Sequence, residues 1–287
     1  MISFRRDPEI RVQNIRIPVG KRQVPALVLR PRETRAGAPG VLWIHGGGYI
    51  TGMKEMVYGS RAVDLVKDLG AVVLSPGYRL APWTPYPGAR EDCYGALLYL
   101  KEQARALGVR EDRLMVGGES AGGGLAAAVC LLARDRGEVQ VAFQMPLYPM
   151  LDDRDTETSR DNHGRVWNTR KNHFAWGCYL RGQDRENIPV YAAAARERDL
   201  SGLPPAYTFV GEGEPFYAET AAYVEGLRAA GVPAELDVYP TDMHAFDMMD
   251  PEGEWSREAA RRFREAAARA LERYAVPQRD SGKGGQE

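Results

Sequence analysis

Cysteine, lysine and long apolar runs are scarce in this chain. Its 287 residues include three cysteines, Cys93, Cys130 and Cys178, far apart and each in apolar or aromatic company. That spacing excludes a disulfide framework and a paired-cysteine zinc site, and predicts buried free thiols in a reducing compartment. Lysine occurs only at Lys21, Lys54, Lys67, Lys101, Lys171 and Lys283, so arginine carries most of the basic charge. The 38 basic and 39 acidic residues leave a formal net charge of -1, with no global attraction to nucleic acid or an anionic bilayer. No apolar run reaches the roughly 20 residues that span a bilayer, and residues 1–14 are too polar and charged for a secretory leader. The expectation is a soluble, cytoplasmic protein with no nucleic-acid partner and no stable membrane association.

The chain does have a glycine-framed serine. Gly118-Glu119-Ser120-Ala121-Gly122 reads G-x-S-x-G. The short apolar run Arg113-Leu114-Met115-Val116-Gly117 precedes it, and small helix-forming residues from Gly123 to Leu132 follow. A serine on a sharp strand-to-helix turn projects its hydroxyl from the end of a sheet above a helix dipole, and only glycine fits so close a turn at its flanks. A second glycine run, His45-Gly46-Gly47-Gly48-Tyr49, follows the apolar segment Val41-Leu42-Trp43-Ile44. Its amides are free to point at a developing oxyanion; one such donor is worth about two to four kcal/mol in the transition state. Alone, this run is as readily a simple reversing turn; a nucleophile elbow in the same chain tips it toward chemistry.

Hydrophobic residues make up 44% and charged residues 27%, enough for a substantial core. Strands are expected at 10–17 and 24–30 as a hairpin, then at 41–45, 71–75, 113–117, 139–145, 205–211 and 234–239. Helices are expected at 55–69, 90–107, after Ser120, at 215–230 and at 254–274. This alternation predicts one α/β domain over residues 1–278, with a mostly parallel sheet covered on both faces and a Gly/Ser/charge-rich tail at 279–287 that is too polar to order. Residues 152–191 break the alternation. They are too long for a simple connection and rich in aromatics, so they read as a lid over the carboxyl end of the sheet, with a peripheral packing helix as the bland alternative.

An elbow serine needs a base and a group to orient it. Among four histidines, His45 belongs to the glycine loop and His163 and His173 to the lid. His244 lies in a loop after a strand and before the last helix, in the expected chain order of serine, acid and histidine. Several carboxylates compete for the acid: Glu214, which precedes Pro215 at a helix start, with Glu212, Glu219 and Asp242 as runners-up. Tyr49, Trp83, Trp167 and Phe216, with Phe174, Trp176 and Met243, are candidate walls of a substrate pocket, although each alone is more often a core residue.

These motifs, with Tyr78-Arg79-Leu80-Ala81-Pro82, Pro87 through Glu91-Asp92, Val210-Gly211 and His244-Ala245-Phe246, resemble the hormone-sensitive-lipase-like esterases of the α/β-hydrolases. The resemblance runs from Val41 to the final helix. It implies an α/β-hydrolase fold with an eight-stranded sheet and a small cap, and hydrolysis of a small-molecule carboxylic ester without metal or cofactor. Short acyl chains are the first expectation, with amides, formamides or longer acyl chains as alternatives on the same triad. It further implies a triad of Ser120, His244 and Glu214, an oxyanion hole from the amides of Gly47, Gly48 and Ala121, and possible homodimers. A non-catalytic receptor on this fold would be expected to have lost the histidine, which is present. The chain departs from the pattern in carrying glutamate rather than aspartate at Glu214, Gly77 for a common aspartate, and Trp83 for a common glutamate. It also lacks the longer helical N-terminal cap of the family, from which an unusually open pocket is expected.

Overall fold

A computed structural model describes residues 7–33 and 37–279. The tail expected at 279–287 therefore lies, apart from Arg279, outside the described residues. Eight strands form one sheet: β1 (Ile10–Val19), β2 (Arg22–Pro31), β3 (Ala38–Ile44), β4 (Val72–Pro76), β5 (Val109–Glu119), β6 (Phe143–Leu147), β7 (Ala206–Gly211) and β8 (Ala234–Tyr239). Their order across the sheet is β1-β2-β4-β3-β5-β6-β7-β8. The pairs β1–β2 and β2–β4 are antiparallel and the remainder parallel. The helices are α1 (Ala62–Leu69), α2 (Gly88–Glu102), α3 (Ala104–Leu107), α4 (Ala121–Arg136), α5 (Thr169–Tyr179), α6 (Tyr217–Ala229), α7 (Phe246–Met249) and α8 (Glu254–Arg273). This is the mostly parallel α/β sheet expected from the alternation of apolar strands and helices, and the α/β-hydrolase architecture that the resemblance implies.

The central strands are apolar along their length because helices cover both faces, and β3, β4, β6 and β7 are buried at every position. Two apolar clusters separate on the two faces. One gathers Leu42, Ile44, Leu97, Val116, Leu125 and Val129 with α2 and α4; the other gathers Trp43, Val73, Met115, Phe209 and Phe263 with α1 and α8. Each large apolar side chain fully buried this way contributes about 1.5–3 kcal/mol relative to exposure. Helix α4 is buried from Ala121 to Ala133, which explains its near-exclusive use of small and apolar residues rather than an amphipathic pattern.

Several boundaries differ from the sequence reading. The helix expected over 55–69 is split: a 3₁₀ turn covers Lys54–Gly59 and α1 starts only at Ala62. Ser60 makes the break, donating its hydroxyl to the Val57 carbonyl (2.9 Å) and accepting from the Ala62 N–H (3.2 Å). The strand expected over 139–145 runs instead from Phe143 to Leu147, because its register is set by β5, where Met115 faces Phe143 and Glu119 faces Leu147. Residues 139–142 are tied at the sheet's start, with the Gln140 N–H donating to the Gln278 side chain (2.9 Å). Cys93 and Cys130 are buried, but Cys178 is half exposed on α5, against the expectation for it; all three are free. No helix among the described residues is long and apolar enough to cross a membrane.

Candidate active site

The parallel sheet brings the carboxyl ends of β3, β5, β6, β7 and β8 to one side, and the polar residues expected from the motifs meet there. Ser120 joins β5 to α4 with φ 56° and ψ -120°, a conformation that a non-glycine residue holds only when its surroundings impose it. The constraint is visible. The Ser120 N–H donates to the Leu147 carbonyl (3.0 Å), and the Ser120 carbonyl accepts from the N–H groups of Gly124 and Met150 (3.0 Å each). The flanking glycines are forced by contact with β3. A Cβ on Gly118 would lie 2.4 Å from the Ile44 carbonyl oxygen, and one on Gly122 would lie 2.1 Å from it. No other residue fits.

The adjacent ends of β7 and β8 carry the partners. Gly211 pairs with Tyr239, and the following loops are laced together by Glu212 N–H to Tyr239 O (2.9 Å) and Gly213 N–H to Thr241 O (3.1 Å). This sets Glu214 beside His244. The His244 Nε2 lies 2.8 Å from the Ser120 Oγ, and its Nδ1 hydrogen-bonds the Glu214 Oε2. The other Glu214 oxygen accepts the Gly211 N–H (3.0 Å). Of the runners-up, Glu212 and Asp242 are exposed. Glu219 is buried but accepts from the N–H groups of Leu151 (2.6 Å) and Asp152 (3.4 Å). A hydroxyl, an imidazole and a carboxylate in line can move a proton off the hydroxyl and hold the resulting imidazolium.

The glycine loop turns back over this line. Gly47 and Gly48 have φ of 113° and 59°, and the Gly47 carbonyl accepts from Ile50 (3.1 Å) and Thr51 (3.0 Å). Neither the Gly47 nor the Gly48 N–H donates to another described residue, and Ala121 is the first residue of α4, where the N–H has no intrahelical acceptor. His45 anchors the loop. Its ring stacks on Tyr78 (centroids 4.2 Å apart) and its carbonyl accepts the Tyr78 hydroxyl (3.0 Å). Its Nδ1 faces the Gly46 carbonyl at 2.8 Å, so this nitrogen carries the proton. Burial pushes its pKa down to about 4 and keeps it neutral, partly opposed by that hydrogen bond.

The expected pocket walls divide. Phe216 is fully buried and packs edge-on to the His244 ring at 5.0 Å. Trp167 lies 6.5 Å from both rings, and its indole occupies the space a Gly48 side chain would need: a Cβ there would be 2.2 Å from the Trp167 Cη2. Tyr49 is 1% exposed, stacked on Tyr179 (4.1 Å) with its hydroxyl donated to the Met150 carbonyl (2.9 Å), so it braces the loop from beneath. Trp83 is 78% exposed and has no ring partner among the described residues; the structure does not bring it into the cluster.

The region 152–191 contains one helix, α5, and otherwise turns. It is fastened to the β7–α6 corner by Thr158 Oγ1 to Pro215 O (2.9 Å) and Asn162 Nδ2 to Gly213 O (3.1 Å). Ser120 is 7% and His244 4% exposed, and Trp167 reaches over the glycine loop from this segment.

A second buried polar group went unnoticed in the sequence. The Tyr148 ring packs edge-on to His244 at 5.2 Å, as Phe216 does at 5.0 Å, and its hydroxyl donates to the Asp247 Oδ1 (2.9 Å). The other Asp247 oxygen lies 3.3 Å from Arg61 Nε, and Arg61 Nη1 lies 2.9 Å from Asp64. Glu119 completes the group, accepting the Trp43 indole N–H (2.9 Å); burial and then the nearby Asp247 push its pKa up to about 8. The one available signal was the placement of Glu119 and Asp247 next to catalytic-type motifs, with no periodicity to mark them.

A Ser–His–carboxylate line on a strand-helix elbow, facing a glycine loop on a mostly parallel sheet, defines a serine hydrolase of the α/β-hydrolase class. Comparison with known proteins narrows this. The alpha/beta hydrolase fold family matches residues 41–248. Esterase LipI of Mycobacterium tuberculosis is 35% identical over 247 residues, covering 83% of this chain and 76% of that protein. Carboxylesterase NlhH of the same organism is 34% identical over 250 residues, with the same coverages. Among solved structures, a bacterial heroin esterase superposes with a TM-score of 0.88 at 36% identity, covering 94% of this chain and 86% of its own. The chain belongs to the hormone-sensitive-lipase-like esterases of the α/β-hydrolase fold and is a carboxylic ester hydrolase.

Proposed function

We propose that the chain hydrolyses short-acyl carboxylic esters through an acyl-enzyme on Ser120. The observation that carries this reading is the buried line from the Ser120 Oγ through His244 to Glu214. Ser120 attacks the ester carbonyl as His244 Nε2 takes its proton. Glu214 holds the imidazole tautomer and stabilises its cation, and the amides of Gly47, Gly48 and Ala121 receive the oxyanion. His244 then protonates the departing alcohol, and in the second half-reaction removes a proton from the water that releases the acid. Phe216 and Trp167 border the acyl group.

Two features favour short chains. Trp167 fills the space above Gly48, and on this reading its ring would limit the depth available to an acyl tail. A relative from Pseudomonas putida named ethyl acetate hydrolase is 31% identical over 234 residues, covering 79% of this chain and 72% of its own. The test is hydrolysis of p-nitrophenyl esters from acetate to palmitate, with Ser120→Ala as control. A maximum at short chains that vanishes in the variant is expected. A maximum at long chains would replace the reading with a lipase, and serine-dependent cleavage of anilides in preference to esters would replace it with an amidase.

A further inference from the structure

Away from the catalytic residues, an open trough of about 570 Å³ lies between the tip of the β1–β2 hairpin and α2. Its volume is in the range of small-molecule sites, roughly 300–1,000 Å³. The trough exists because the hairpin tip sits directly on the helix: a Cβ at Gly95 would come within 2.6 Å of the Val19 side chain. With Val19 seated there, residues 18–22 form one wall and α2 the floor.

Five cations line this trough, and their bonding separates them. Arg79 is spent on Asp92 (2.9 Å) and Glu91 (3.1 Å). Arg136 faces Glu138 at 3.5 Å and lies over the Tyr94 ring at 5.1 Å. Lys21, Arg22 and Arg90 make no ion pair with a described carboxylate, although elsewhere Arg61, Arg134, Arg196, Arg261 and Arg262 each hold one. The Arg90 Nε is buried with no acceptor, while its guanidinium lies over the Tyr86 ring at 5.6 Å. A buried guanidinium N–H without a partner is costly unless something supplies an oxygen. Of the two lining carboxylates, Glu91 is taken by Arg79, so three unpaired positive charges face Glu102 alone.

We propose that this trough is a second binding site, for a small organic phosphate monoester. The surplus of positive charge matches the roughly two negative charges of such a group at neutral pH, and arginine forks suit its oxygens. Lys21 and Arg22 reach the phosphate from the hairpin tip and Arg90 from the helix. Leu98 and the Tyr99 ring, on the same helix, give the organic part an apolar surface.

The test is calorimetric titration of the intact protein with AMP, with inorganic phosphate and with adenosine, none of which depends on ester turnover. AMP is expected to bind saturably at one site, and adenosine not at all. Affinity should fall about tenfold or more in Lys21→Ala/Arg22→Ala, and should weaken as salt is raised. Both residues are exposed at a turn, so folding is not at stake; Arg11→Ala, exposed at the far end of the hairpin, should bind as wild type. Absence of saturable AMP binding at millimolar concentration, or equal affinity in the double variant, would overturn the proposal. Phosphate binding as tight as AMP would overturn the role given to Leu98 and Tyr99.

Discussion

The floor and the roof of the active site are built differently. The floor is backbone: Ser120 is held in its strained turn by main-chain hydrogen bonds to Leu147, Gly124 and Met150, and the glycines at 118 and 122 are dictated by contact with the Ile44 carbonyl. The roof is side chain: Trp167 reaches over Gly48 from a segment fastened by Thr158 and Asn162. A floor of that kind tolerates no variation and leaves a motif. A roof of that kind needs only a large ring at the right place, which many sequences supply. Reaction chemistry should therefore reside in the floor and selectivity in the roof, and the two can be separated by mutation.

The largest effect is expected at the floor. Ser120→Ala should lower kcat by about ten-thousandfold or more with the fold intact, and His244→Ala by a similar factor, because the members of the proposed triad would act as a unit. Steady-state kinetics with a circular-dichroism check would show this; residual turnover within tenfold of wild type would break the assignment.

Gly48→Ala joins floor to roof. The new Cβ would strike the Trp167 indole, and φ of 59° strains any residue but glycine. A loss of about a hundredfold in kcat is expected, the size of one oxyanion donor misplaced. Trp167→Ala in the same chain should recover part of that loss, since the collision is gone while the strain remains. A double-mutant cycle reads this coupling directly, and strictly additive losses would show that roof and floor do not touch in solution.

Trp167→Ala alone should leave kcat on acetate esters nearly unchanged. The preference for longer acyl chains should rise roughly three- to tenfold, as removing apolar bulk from a pocket does. An unchanged chain-length profile would move the selectivity elsewhere.

The smallest effect concerns stability beneath the floor. Burial holds the Glu119 pKa at about 8 against an ordinary 4.5. Between those values the folded chain keeps a proton that the unfolded chain has lost, so this group's contribution is full below 4.5 and declines as pH rises toward 8. Glu119→Gln keeps an oxygen for the Trp43 indole and removes the titration. Its melting temperature should therefore vary less between pH 5 and 8 than that of the wild type. Parallel melting curves would contradict a protonated Glu119.

The same contrast explains what the sequence revealed. Ser120, His244 and the glycine loop were legible because each sits in a local pattern that backbone geometry enforces, and Glu214 because chain order and the following Pro215 marked a helix start. The eight strands were legible where burial on both faces makes a continuous apolar run, as in β4 and β7. The start of β6 was not, because residues 139–142 are equally apolar and only pairing with β5 decides where the strand begins. The roof was legible as a region and not in detail. Trp83 and Trp167 are alike in sequence, and only the fold leaves one 78% exposed while setting the other over Gly48. The Tyr148–Asp247–Arg61 group joins residues from three distant segments and leaves no local trace.

The most direct test of the central claim is labelling with a fluorophosphonate followed by peptide mass spectrometry. A single adduct on the peptide that contains Ser120, abolished in Ser120→Ala and strongly slowed in His244→Ala, is the expected result. An adduct on another serine, or labelling of Ser120 at the wild-type rate without His244, would contradict it.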